Sequence, residues 1–205
     1  MTIKKVGLYG GSFDPVHQGH LSAAETIYNN LNLDRVIFIP SYVAPHKLNG
    51  SVATAQQRHE MLSLVTSDYS FFEVSDYEIE NEEVSYTVHT VDYFKRLYPQ
   101  AHLYLLLGSD SLQHFPSWYA LDQIFSLCSP VFFDRPGETD FEDCVEKSLL
   151  CAAYKQQVLE FYQRISTYPI SSTEIRDALG QNQMNLEGLP QSVMDYIVDK
   201  HLYQR

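Results

Sequence analysis

Two histidines, His17 and His20, are the side chains of this 205-residue sequence that most directly suggest chemistry. They end the segment GGSFDPVHQGH (residues 10–20), and a spacing of three across a helix start lets both imidazole rings point into the same space. The leading glycines, Gly10 and Gly11, allow the backbone to approach a ligand closely. An apolar run precedes the segment and a helix-period pattern follows it, which is the context in which a turn binds phosphate. The segment therefore predicts a nucleotide-phosphate site.

The better-known phosphate-binding motifs are absent from the sequence. It contains no GxxxxGK[ST] loop, and no GxGxxG follows a predicted strand. A glycine pair between a strand and a helix is also common in α/β proteins that bind no phosphate. The prediction consequently depends on the two histidines and on Pro15, which restricts the turn between them and the glycines.

Other clusters of functional side chains follow predicted strands. They would lie at the carboxyl ends of a parallel sheet, where ligands bind. In SSTEIR (residues 171–176), Ser171 and Glu174 have the spacing of a capping box. The segment either only begins a helix, or presents N–H groups and hydroxyls to a polyphosphate with Arg176 completing the clamp. Trp118, the only tryptophan, either fills the core or stacks on an aromatic ring.

Short apolar runs that alternate with helix-period segments predict the framework around these residues. The runs lie at residues 6–9, 36–39, 71–74, 103–107 and 130–133. The pattern predicts a Rossmann-like α/β fold, with a doubly wound, mainly parallel sheet flanked by helices. Thr54 and Gln57 predict a capped helix, and after a strand-like run at 165–168 two closing helices are expected from Ser171 and Pro190. We expect one domain over residues 1–205.

Composition and charge exclude several classes of partner. A formal net charge of −12 with no basic patch argues against nucleic acid. No apolar stretch approaches the roughly 20 residues of a membrane span, and no signal-peptide pattern is found, so we expect no membrane partner and a cytoplasmic location. The three cysteines lack C-x-x-C spacing, which disfavours disulfide and zinc sites. Cys144 and Cys151, seven residues apart, are expected to share one buried helix face.

The segment GGSFDPVHQGH resembles the His-x-Gly-His signature of the nucleotidyltransferase superfamily, whose enzymes join a nucleoside monophosphate unit to a phosphate acceptor. Within it, the chain is similar to the bacterial nicotinate-nucleotide adenylyltransferase family along nearly its whole length. The further matching segments are PHK (45–47), SYT (85–87), GSD (108–110), FPSWY (115–119), RPG (135–137) and ISSTEIR (170–176). The resemblance implies transfer of AMP from ATP to nicotinate mononucleotide in NAD biosynthesis, giving deamido-NAD and pyrophosphate. Mg²⁺ is expected to arrive on the ATP phosphates, without a dedicated carboxylate cluster in the protein.

The resemblance also implies roles for individual residues. His17, His20 and Arg176 would be catalytic, with His20 on the α-phosphate and Arg176 on the departing pyrophosphate. The implied ATP-binding residues are Gly10, Gly11, Ser12, Phe13, His17, His20, Gly108, Asp110, Arg135, Ser171, Ser172, Thr173 and Arg176. The implied mononucleotide-binding residues are Lys47, Ser85, Tyr86, Thr87 and Trp118, with the indole stacking on the pyridine ring.

Two other functions remain open from the sequence. A sister enzyme that uses phosphopantetheine as acceptor would share the His-x-Gly-His and Ser/Thr–Arg motifs, but would lack the combination of PHK, SYT and FPxWY. A non-catalytic nucleotide-binding regulator on the same fold would be favoured by loss of His20 or Arg176, and both are present. His89 stands where many members of the family carry Asp, and a charged His does not favour the first turn of a helix.

Overall fold

The computed structural model describes residues 3–43, 52–82, 84–134, 140–165 and 168–204. Within them, five parallel strands form one sheet in the order β3-β2-β1-β4-β5. The strands are β1 (Lys5–Gly11), β2 (Arg35–Pro40), β3 (Phe72–Val74), β4 (His102–Gly108) and β5 (Ser129–Phe133). The predicted doubly wound parallel sheet is therefore confirmed.

The centre of the sheet is β1, which pairs with β2 on one side and with β4 on the other. Leu8 stands opposite Ile37 of β2 and Leu105 of β4. The chain first winds outward from β1 to β3 and then returns to place β4 on the other side of β1. The strand order thus reverses between β1 and β4, and such a reversal opens a crevice at the carboxyl ends of the strands.

Helices cover both faces of the sheet. The helices are α1 (Gln18–Leu31), α2 (Ala55–Thr66), α3 (Tyr77–Glu80), α4 (Thr87–Leu97), α5 (Leu121–Leu127), α6 (Phe141–Lys147), α7 (Ala152–Glu160), α8 (Ser172–Gly180) and α9 (Gln191–Asp199). Two short 3₁₀ helices, Ser109–Gln113 and Phe115–Ser117, follow β4. Over the described ranges, no helix is long and apolar enough to cross a membrane.

The alternation of side chains along the strands divides the core into two clusters. Tyr9 packs in one cluster with apolar residues of α1, α2, α8 and α9. Val6 and Leu8 point to the other cluster, with apolar residues of α4, α5, α6 and α7. Because both faces of the sheet are covered, its strands are buried on both sides, which explains their nearly continuous apolar sequence.

Most local predictions agree with the structure. Thr54 and Gln57 form the predicted capping box, and the closing helices begin after Ser171 and Pro190. The expectation for the cysteines is wrong. Cys144 and Cys151 are both exposed, because α6 ends at Lys147 and Cys151 only precedes the separate helix α7.

The strand-like run at residues 165–168 is not seen as a strand in its described part. On the side of β5 that faces away from β4, the described residues form one isolated bridge, between Phe133 and Gln163. Ile165 instead donates its N–H to the carboxylate of Asp134 at 3.0 Å.

Candidate active site

A cavity of about 1200 Å³ opens where the strand order reverses, at the carboxyl ends of β1 and β4. Its walls include the turn after β1, the segment after β4, and the first residues of α4 and α8. Ligand pockets usually measure roughly 300–1,000 Å³. The cavity is therefore somewhat larger than a typical ligand pocket.

The glycine turn forms the floor of the cavity. A Cβ atom built on Gly10 would meet no atom of the described residues within 4 Å, so their packing does not require a glycine there. On Gly11 the same atom would lie 3.0 Å from the ring of Phe13, which has a positive φ of 48°. Gly11 is thus explained by packing, whereas Gly10 faces open space in the cavity.

The two histidines lie together at the start of α1. Their ring centroids are 3.8 Å apart, and His17 and His20 are only 1% and 7% exposed. The main-chain N–H of His17 donates to Nδ1 of His20 at 3.3 Å. This contact turns Nδ1 of His20 toward the main chain at the start of the helix. His20 also packs edge-on against Phe13, which holds the imidazole in one orientation.

The first turn of α8 is bonded directly to the glycine turn. The hydroxyl of Ser172 donates to the carbonyl of Pro15 at 2.9 Å, and Nη1 of Arg176 donates to the carbonyl of Asp14 at 2.7 Å. Ser171 forms the predicted capping box with Glu174. These contacts bring Arg176 to the same wall as the histidines, although the two segments are far apart in sequence.

The first residues of α4 form the opposite wall. The helix starts at Thr87 without a side-chain cap, and Ser85, Tyr86 and Thr87 line the cavity. Trp118 lines it as well, and its indole contacts Phe115 edge-on at 5.0 Å between ring centroids. A helix start without a side-chain cap next to an indole suits an aromatic ring that carries an anionic group.

Three buried charged side chains lie in or beneath these walls, and none was predicted from the sequence as a site residue. They are Asp14, Arg58 and Glu78. Arg58 is 1% exposed and donates to main-chain carbonyls, including that of Ser12 at 2.7 Å and that of Ser41 at 2.5 Å. Burial lowers the pKa of the Arg58 guanidinium, and the carboxylates of Asp14 and Glu78 oppose that shift. Arg58 occurs at helical spacing with Met61 and Leu62 on the buried side of α2. A cation among apolar positions was the signal that could have identified it.

The carboxyl of Glu78 lies at the α4 wall of the cavity. It accepts a hydrogen bond from the hydroxyl of Thr90 at 2.5 Å. Burial raises the pKa of Glu78, while hydrogen bonds from Thr90 and Ser85 and the charge of Arg58 act in the opposite direction. Glu78 thereby ties the segment that contains Ser85 to the body of the protein.

Every predicted site residue that the structure describes lines this one cavity. The residues brought together are Gly10, Gly11, Ser12, Phe13, His17, His20, Ser85, Tyr86, Thr87, Gly108, Asp110, Trp118, Ser171, Ser172, Thr173 and Arg176. Lys47 and Arg135 lie outside the described residues. His89 is exposed and contacts the rings of Tyr86 and Tyr119.

The described residues offer no cluster of metal-ligating side chains. Within the described ranges, no group of three or more His, Cys, Asp or Glu side chains could hold a metal ion. The hydrogen-bond donors that line the cavity are imidazole, guanidinium, hydroxyl and main-chain N–H groups, and these suit phosphate oxygens. Four acidic residues, Asp14, Glu78, Asp110 and Glu174, line it as well.

Comparison with known sequences gives consistent matches. A family model described as cytidylyltransferase-like matches residues 8–178. A probable nicotinate-nucleotide adenylyltransferase of Clostridium botulinum (strain Okra / Type B1) is 33% identical over 198 residues, covering 96% of this chain and 98% of the relative. Another, from Desulfitobacterium hafniense, is 36% identical over 206 residues, covering 98% of this chain and 96% of the relative.

Solved structures share the fold at low sequence identity. The nicotinic acid mononucleotide adenylyltransferase of Plasmodium falciparum, complexed with NaAD, superposes with a TM-score of 0.77 at 21% identity. The match covers 98% of this chain and 97% of that chain. A second structure of the Plasmodium enzyme, complexed with APC, gives a TM-score of 0.72 at 20% identity over similar shares of the two chains.

Proposed function

The chain belongs to the cytidylyltransferase-like family and, within it, to the nicotinate-nucleotide adenylyltransferases, and we propose that it transfers AMP from ATP to nicotinate mononucleotide. The products are nicotinate adenine dinucleotide (deamido-NAD) and pyrophosphate, and the reaction belongs to NAD biosynthesis. The observation that supports this most directly is the convergence of His17, His20 and Arg176 with an uncapped helix start and Trp118 on one cavity.

The reaction requires positioning and charge stabilisation more than acid–base chemistry. The phosphate of the mononucleotide is already ionised at neutral pH and attacks the α-phosphorus of ATP in line, so no general base is needed. An oxygen of the mononucleotide phosphate forms a bond to the α-phosphorus of ATP. The bond between the α-phosphorus and the oxygen that bridges to the β-phosphorus breaks, and its electron pair leaves with pyrophosphate. Catalysis then depends on donors placed where negative charge develops.

Three residues supply these donors. His20 donates from its imidazole to the α-phosphate, with His17 beside it. Arg176 is fixed by the carbonyl of Asp14 and stabilises the departing pyrophosphate. The turn from Gly10 to Phe13, together with Ser171, Ser172, Thr173, Gly108 and Asp110, surrounds the nucleotide. Lys47 and Arg135 are assigned by resemblance alone.

The pyridine ring occupies the wall formed by Ser85, Tyr86, Thr87 and Trp118. The carboxylate of nicotinate lies near the start of α4, where the partial positive charge of the helix favours an anion. A nicotinamide ring lacks that charge and gains less from the same position. The chain therefore prefers nicotinate mononucleotide to its amide.

Mg²⁺ belongs to this proposal as part of the MgATP substrate. The ion would be carried by the phosphates and would offset their charge in a protein of formal charge −12. We further propose that residues 1–205 form a single domain and that the chain acts in the cytoplasm without nucleic acid or membrane partners.

Pyrophosphate release by the purified chain tests the function. MgATP is offered with nicotinate mononucleotide, nicotinamide mononucleotide or phosphopantetheine in parallel. We expect the highest kcat/KM with nicotinate mononucleotide. Release with phosphopantetheine alone would refute the ring site but keep the phosphate site, and no release by folded protein would favour a nucleotide-binding regulator.

A further inference from the structure

Tyr203 lies near the C-terminal end of the sequence but reaches the turn that contains the histidines. Its hydroxyl donates to Oδ1 of Asp14 at 2.6 Å, across a sequence separation of 189 residues. The two residues are 7% and 5% exposed. The same carboxylate accepts main-chain N–H groups of Val52 at 2.8 Å and of Ala53 at 3.2 Å. Asp14 is therefore held by three donors from two other parts of the chain.

Asp14 links this contact to the candidate catalytic arginine. Its side chain receives the hydroxyl of Tyr203, and its main-chain carbonyl receives Nη1 of Arg176 at 2.7 Å. Asp14, which lies between Phe13 and Pro15 in the turn, therefore accepts both hydrogen bonds. A shift of the carboxylate would move the carbonyl on the same residue, and hence the anchor of the guanidinium.

Tyr203 lies in the turn that follows α9, and its side chain is buried. The residue has a φ of +61°, a left-handed conformation that bulky side chains seldom adopt. The preceding N–H, that of Leu202, donates to the carbonyl of Ile197 at 3.0 Å, which ties the segment to the end of α9. His201 has a positive φ as well, and both residues belong to the turn that follows α9.

The hydroxyl remains protonated at neutral pH. Burial raises the pKa of Tyr203, and the adjacent charge of Asp14 raises it further. The tyrosine is therefore a permanent donor to Asp14.

We propose that Tyr203 is a positioning residue for adenylyl transfer, which acts by fixing Asp14 and, through its carbonyl, the guanidinium of Arg176. This role rests on the proposed function, because it assigns Arg176 to the pyrophosphate that leaves. The tyrosine contacts no reacting atom itself. Removal of the Tyr203 hydroxyl should reduce the preorganisation of the phosphate site and leave the cavity wall around Trp118 unchanged.

The test compares two tyrosine-to-phenylalanine variants from the same part of the chain. Tyr203→Phe removes one oxygen atom and keeps the buried ring, so we expect it to fold. Tyr196→Phe is the matched control, because its hydroxyl also donates to a carboxylate, that of Glu60 at 2.5 Å, outside the cavity. For Tyr203→Phe we expect kcat for pyrophosphate release to fall about tenfold, with KM for nicotinate mononucleotide within about twofold of wild type. The control should keep wild-type kcat and KM.

A double-mutant cycle with Arg176→Ala separates positioning from general stability. If Tyr203 acts through Arg176, Tyr203→Phe changes kcat by less than about twofold when Arg176 is already absent. Equal fold-changes in both backgrounds would overturn the proposal, as would a Tyr203→Phe variant with wild-type kcat. A wild-type chain that releases no pyrophosphate would refute the proposed function and this role with it, whereas an active wild type with an unaffected variant would refute this role alone.

Discussion

Replacement of Arg58 by methionine should destabilise the fold more than any substitution of a surface arginine. The guanidinium is 1% exposed and bonds the carbonyl of Ser12 at 2.7 Å and that of Ser41 at 2.5 Å, with longer bonds of 3.4 Å to those of Tyr42 and Ala53. Methionine keeps much of the apolar volume of the stem but donates no hydrogen bond. The substitution thus isolates the polar contribution.

The magnitude follows from these bonds and from the charges nearby. Hydrogen bonds from a charged donor contribute about 1.5–3 kcal/mol each, so the two short bonds together give about 3–6 kcal/mol. Methionine recovers part of this because no cation has to be buried. The carboxylates of Asp14 and Glu78, however, lose the buried cation that faces them. The carbonyls of Ser12 and Ser41 lose their donor as well, and an unsatisfied buried acceptor costs about 1–3 kcal/mol, so we expect a net loss of about 2–6 kcal/mol.

Urea denaturation followed by circular dichroism measures this loss as the free energy of unfolding. Arg96→Met serves as the control, because Arg96 is 72% exposed and its ion pair with Asp92 joins neighbouring turns of α4. We expect a change of no more than about 0.5 kcal/mol there. Arg58→Lys should fall between the two, since an ammonium keeps the charge but not the fork of donors. An Arg58→Met variant within about 1 kcal/mol of wild type would refute the reasoning.

Four further substitutions test the site itself. His20→Ala should lower kcat by about 10²–10³, and an unchanged kcat would remove His20 from the catalytic residues. Trp118→Ala should raise KM for the mononucleotide and leave KM for ATP nearly unchanged, whereas equal effects on both would indicate a structural tryptophan. Gly10→Ala should keep the melting temperature, because its Cβ meets no atom of the described part of the chain within 4 Å, and should raise KM for ATP; a normal KM would show that no ligand fills that space. Burial raises the pKa of Glu78 in the folded state above its ordinary value of 4.5. The favourable contribution of Glu78 to stability is therefore complete below pH 4.5, and it is lost as the pH rises through the folded-state pKa. The free energy of unfolding of wild type relative to Glu78→Gln should therefore fall with rising pH above 4.5, and parallel pH curves would contradict this.

Much of the fold could be predicted because its signals are local. A capping box needs two residues three apart, and the box at Thr54 appears as expected. Strands buried on both faces must be apolar throughout, so β4 was recognisable from its composition. The break between α6 and α7 was missed, and with it the exposure of Cys144 and Cys151, because a spacing of seven fits one helix face only if the helix continues.

The sequence by itself determined the chemistry of the candidate site and its family. The segment GGSFDPVHQGH and the further matching segments contain imidazole, guanidinium and indole groups whose chemistry can be stated without coordinates. Their convergence was expected only in outline, from the rule that ligands bind where strand order reverses. The strand order β3-β2-β1-β4-β5 fixed that place.

Only the tertiary structure revealed how the site is held together. Tyr203 and Asp14 are 189 residues apart, and Arg58 bonds carbonyls of three separate segments. No local pattern encodes such contacts, because main-chain carbonyls are the same at every position of a sequence. A buried hydrogen-bond network depends on where distant segments meet, and packing of the whole chain alone decides that.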